Sequence, residues 1–145
     1  MTDEFFTGSW TGHYVYGEIY GERKGERCDF RMELILKDGI LNGHCDEEVT
    51  EKLMGAPAML SGFIEGGMIS MIKQYPCLYF TNEKGEMGID RSKSHWPVHY
   101  TGGFDPQTNC FSGKWEIEIV LQKDFFGGSY AHFATGTWEM QKRPA

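Results

Sequence analysis

With 145 residues, 40% hydrophobic and 24% charged, the chain has the size and balance of one folded domain spanning 1–145. A net charge of −7 and the lack of any Lys/Arg run argue against a nucleic-acid or anionic-membrane partner, either of which needs a basic face. No apolar stretch approaches the length of a membrane span, and Met1-Thr2-Asp3-Glu4 leads into no apolar signal segment, so a cytoplasmic address is expected. In that address the irregularly spaced Cys28, Cys45, Cys77 and Cys110 are expected to be free thiols.

In chain order, strands are predicted near 6–19, 28–37, 40–47, 57–65, 67–75, 96–104, 109–120 and 131–141. The first opens on Phe6-x-Gly8-x-Trp10, and the second sets Phe30, Met32, Leu34 and Leu36 against Arg31, Glu33 and Lys37. Lys37-Asp38-Gly39 then turns into the third strand, and Glu65-Gly66-Gly67 separates the fourth from the fifth. Gly103-Phe104-Asp105-Pro106 closes the sixth; the seventh sets Phe111, Gly113, Trp115, Ile117 and Ile119 against Lys114, Glu116 and Glu118. Period-two alternation of this kind marks half-buried strands with one wet face.

A weak repeat underlies these segments: apolar-x-Gly-x-apolar, at Phe6–Trp10, Leu41–Cys45, Leu60–Ile64, Tyr100–Phe104, Phe111–Trp115 and Ala134–Trp138. Glycine between two bulky residues of the same face makes room inside a sharply coiled sheet. Short turns favour an up-and-down order and closure removes exposed edges, so the expected fold is an all-β, antiparallel up-and-down barrel of about eight strands. The longer connections, Glu48–Ala56, Phe80–Ser94 and Lys123–Tyr130, are where specificity would be set.

Gly8-Ser9-Trp10-Thr11-Gly12 resembles the entry strand that seals the base of streptavidin-like barrels in the wider calycin superfamily, which also include the lipocalins. Asp38-Gly39-Ile40-Leu41-Asn42-Gly43 is similar to a hairpin of avidin-type proteins, and Tyr100-Thr101-Gly102-Gly103-Phe104, Trp115 and Trp138 continue the resemblance in order. It implies a barrel and a plugging role for Trp10. It does not imply biotin binding: the polar positions of the biotin site correspond here to Gly12, Cys45 and Trp138. Unpaired ureido groups would each cost roughly 1–3 kcal/mol.

Strand parity lines the interior with Tyr14, Tyr16, Cys45, Glu47, Trp96, Tyr100, Trp115, His132 and Trp138, the expected ligand-binding residues, alongside Trp10. These suit a small, partly apolar molecule, with the tyrosines offering hydroxyls. Glu47 and His132 form the one acid–base constellation, although its charge reads Glu47 as a surface residue; no catalytic residue is assigned. No metal or cofactor is expected, because His95 and His99 flank Pro97 at poor spacing and no C-x-x-C or H-E-x-x-H occurs. The leading expectation is a non-catalytic small-molecule binder. Two alternatives stay open: a small isomerase or lyase, and a filled barrel that acts through its surface as an interaction or inhibitor module. Ile69, Met71 and Tyr75, assigned to the outer face, suggest a homodimer contact.

Overall fold

In a computed structural model that describes residues 3–17, 24–47, 52, 54–81, 84, 86–120 and 131–143, a one-turn helix α1 (Asp3–Phe6) precedes ten strands. These are β1 (Gly8–Tyr16), β2 (Arg27–Lys37), β3 (Ile40–Glu47), β4 (Ala58–Glu65), β5 (Met68–Gln74), β6 (Leu78–Thr81), β7 (Met87–Asp90), β8 (Val98–Asp105), β9 (Cys110–Val120) and β10 (Ala131–Lys142). Eight of them close into an antiparallel barrel in the order β1-β10-β9-β8-β5-β4-β3-β2, while β6 and β7 form a separate hairpin inside the β5–β8 connection. The all-β barrel expected from alternation is thus the observed fold. The hairpin is an addition, because its two four-residue strands fall where the sequence reads as a loop.

Alternation dictates the wall. Along β2, Cys28, Phe30, Met32, Leu34 and Leu36 are buried while Asp29, Arg31, Ile35 and Lys37 are exposed. The turn Asp38-Gly39 holds both residues at positive φ, 53° and 80°, the pair of left-handed conformations that a tight two-residue hairpin requires. The repeat glycines have a steric reason. A Cβ on Gly113 would overlap the Thr101 carbonyl oxygen, and one on Gly136 would overlap the Val15 carbonyl oxygen and the Trp115 ring. Two tryptophans use this close approach: Trp115 Nε1 donates to Val15 O at 3.1 Å, and Trp138 Nε1 donates to Thr101 O and Lys114 O, each at 3.1 Å.

The barrel's two ends differ. At one end lie the short turns and α1, whose Phe5 and Phe6 pack with Trp10, Phe104 and Phe111 in an aromatic plug. Trp10 Nε1 donates to Phe6 O at 2.9 Å, Lys142 Nζ donates to Phe5 O, and Asp38 N donates to Asp3 Oδ2 at 2.8 Å. At the other end β1, β3, β5 and β9 run out into the long connections to β2, β4, β8 and β10; of the loops expected to set specificity, 48–51, 53, 82–83, 85 and 123–130 lie outside the described residues. No helix among the described residues is long and apolar enough to cross a membrane.

One strand reverses an expectation. Ile69, Met71 and Tyr75 are buried, not outward, and Met68 and Ile72 face out instead. The inward series of β5 is Ile69, Met71 and Lys73, continued by Tyr75 just past its end; the lysine in that series disguises the core face as a polar one.

Candidate functional site

The interior near the long-loop end holds the only buried ion pair among the described residues, Lys73 with Glu47, each about 1% exposed. Glu47 ends β3 on its inward parity and Lys73 lies one residue before the end of β5; the ladders set Lys73 level with Leu60 and Gly43, four residues before Glu47, so the two side chains meet inside the barrel across that offset. Lys73 Nζ donates to Glu47 Oε1 and, at 2.7 Å, to the Tyr100 hydroxyl. The Tyr75 hydroxyl donates into the Glu47 carboxylate, 2.8 Å from each oxygen. The ammonium also lies 4.8 Å from the ring centroids of Tyr14 and Tyr75 and 5.1 Å from that of Tyr100. Desolvating two ions costs several kcal/mol each, and here hydrogen bonds and aromatic faces offset it together.

Burial sets the protonation of the surrounding groups. It pushes the Tyr100 phenol and the Cys45 thiol far above their usual ranges, and it also raises Cys28 against the opposing hydrogen bond from Tyr14. It lowers His95, whose Nδ1 lies 2.8 Å from Trp96 O and whose ring meets Tyr75 edge-on at 4.9 Å. Among the described residues the cluster is therefore one ion pair with a neutral phenol, thiol and imidazole around it.

Above it is a cavity of about 10 Å³, enough for about one water molecule. Tyr14, Tyr16, Tyr100 and Trp115 line it together with Lys73, Tyr75, Val98 and Ile117. Larger hollows of about 450 Å³ beside Gly12 and about 420 Å³ against α1 lie on the outer wall and the closed end, and neither is lined by Glu47, Lys73 or His95. Among the described residues every buried side-chain nitrogen and oxygen has a hydrogen-bond partner, and no three His, Cys, Asp or Glu residues gather as metal ligands.

Of the residues that parity placed inside, Tyr14, Tyr16, Tyr100 and Trp115 meet at this cavity, with Tyr16 half-buried at its lip. Glu47 lies beneath it; the surface position its charge suggests is wrong, because Lys73 and Tyr75 satisfy the carboxylate inside. Cys45 is buried, while Trp138 packs deeper on Tyr100 and Phe111, with its indole committed to the wall. Trp96 is half-buried beside His95, away from the cavity lining. The side chain of His132 falls outside the described residues. Lys73, Tyr75 and Val98 were not anticipated, although the alternation of Ile69, Met71, Lys73 and Tyr75 carries a signal for the first two; Ile117 was placed on the apolar face of Trp115 but not among the site residues.

No protein-family model matches the chain, and comparison with curated proteins and with solved structures gives no significant match. The resemblance to streptavidin-like barrels therefore rests on the closed eight-stranded architecture and the quoted motifs.

Proposed function

We propose that this is a non-catalytic, calycin-like barrel that binds a small, partly apolar molecule at its long-loop end. The observation that supports this reading is an ion pair with three tyrosines buried directly beneath a cavity walled by aromatic rings. For stability alone, well-packed apolar side chains serve as well or better than a buried ion pair. Because Lys73 and Glu47 cancel, the fitting ligand is uncharged: a planar ring for the faces of Tyr14 and Trp115, with one polar group for the cluster. The present cavity is far below the roughly 300–1,000 Å³ of ordinary ligand pockets. Entry therefore requires the half-exposed Tyr16 to swing aside, a rotamer change of the kind common on binding. The free thiols agree with a reducing, cytoplasmic setting.

Titration with phenol and indole, followed by isothermal titration calorimetry, tests this. Saturable heat with an affinity that rises in Tyr16→Ala supports it, and no saturable response in either protein refutes it. The small cavity and the complete pairing of buried polar atoms favour a second reading, a filled barrel that acts through its outer surface. The same null titration would leave that reading standing.

A further inference from the structure

Among the described residues Lys73 is the only buried lysine, and it is the member of the ion pair that lines the cavity. Tyr14, Tyr100 and Trp115 line the hollow with it, whereas Glu47 does not and lies behind. The cavity therefore meets a nitrogen first, with a carboxylate at its back and the Tyr100 hydroxyl 2.7 Å away. An ammonium and a carboxylate in contact exchange one proton without any change in net charge, and burial brings the neutral amine–acid pair within reach. That exchange frees a nitrogen lone pair at neutral pH. An exposed lysine, with a pKa of about 10.4, offers one in fewer than about one molecule in a thousand at pH 7.

We infer that the site holds its ligand covalently, as an imine between Lys73 Nζ and a small aromatic aldehyde. The inference rests on the ring site proposed above and names the ligand's polar group as a carbonyl. In so small a hollow an aldehyde crowds least, because its second substituent is hydrogen. Glu47 takes a proton from the Lys73 ammonium, and the Nζ lone pair attacks the carbonyl carbon while the π electrons move to oxygen. The Tyr100 hydroxyl, already hydrogen-bonded to Nζ, relays a proton from nitrogen to that oxygen and gives the carbinolamine. Glu47 returns its proton to the new hydroxyl, which leaves as water as the nitrogen lone pair forms the C=N bond. One ammonium and one aldehyde give one protonated imine and one water, and nothing is oxidised or reduced. The imine carries the charge that the ammonium held, so Glu47 keeps a cationic partner. The bond is a mode of binding and not a turnover, and it hydrolyses when unfolding admits water. Phenol and indole offer no electrophilic carbon, so they occupy the same site without the bond.

Stoichiometric benzaldehyde with sodium cyanoborohydride at pH 7, followed by peptide mass mapping, tests the inference, because reduction fixes the imine as a benzyl group. Lys73 should be benzylated at least about tenfold faster than the exposed Lys37 and Lys114, given how little free amine those carry. Urea-unfolded protein should lose this preference, and excess phenol should slow labelling at Lys73 alone. Labelling no faster at Lys73 than at Lys37 overturns the inference. If phenol and indole then still give saturable heat, the ring site stands and only the covalent bond falls; if they give none, the site falls with it. Preferential labelling of Lys73 that phenol does not slow puts the reaction outside the ring site, and overturns the inference as well.

Discussion

Replacing Glu47 by Gln keeps the shape of the side chain and removes its charge, leaving the Lys73 ammonium buried against neutral partners. Removing one member of a buried pair costs about 3–5 kcal/mol, and Lys73→Met, which strands the carboxylate instead, falls in the same range. For a domain of this size each kcal/mol moves Tm by about 2–4 °C, so a fall of roughly 6–20 °C is expected. With an m-value of about 2 kcal/mol/M, the urea midpoint should drop by roughly 1.5–2.5 M. Glu47→Gln combined with Lys73→Met should lose much less than the sum of the two, since each single change leaves a charge that the other removes. Urea unfolding followed by fluorescence and circular dichroism measures all three. Two single losses below about 1 kcal/mol that add in the double variant are the behaviour of an exposed pair, and would refute the buried cluster.

Three other expectations follow from the same packing. Burial lowers the His95 pKa, so on acidification the unfolded chain takes up its proton first, and stability falls as pH drops below about 6.5 toward the folded value; His95→Gln should flatten melting temperatures between pH 7.5 and 5.5, and an unchanged slope would contradict this. Thiol titration of the native protein should modify the partly exposed Cys110 quickly and the buried Cys45 only on unfolding, its thiolate being suppressed by burial; equal rates would count against it. Gly136→Ala should destabilise by about 1–3 kcal/mol, because its Cβ has no room between Val15 O and the Trp115 ring; a neutral effect would show that the wall relaxes there.

Much of the barrel was legible because alternation and closure are local rules repeated eight times. Asp38-Gly39 announced its hairpin, and the repeat glycines announced close backbone approach. The site was less legible for a physical reason: a buried charge contradicts the pattern that reveals burial. Lys73 made the core face of β5 look solvent-facing, and Glu47 looked exposed for the same reason, since each is tolerable inside only because of the other, 26 positions away. That pairing is a product of barrel register and not of any local signal. The β6–β7 hairpin escaped because four-residue strands carry too little alternation to stand out from a loop.

The central claim, a ligand held at the long-loop end above Lys73 and Glu47, is tested most directly by native mass spectrometry. The protein would be purified gently from its own source and compared with its denatured mass. The account predicts a stoichiometric extra mass of a small uncharged molecule that leaves on denaturation. A bare protein mass, together with no uptake of phenol or indole, would contradict it and identify the barrel as filled.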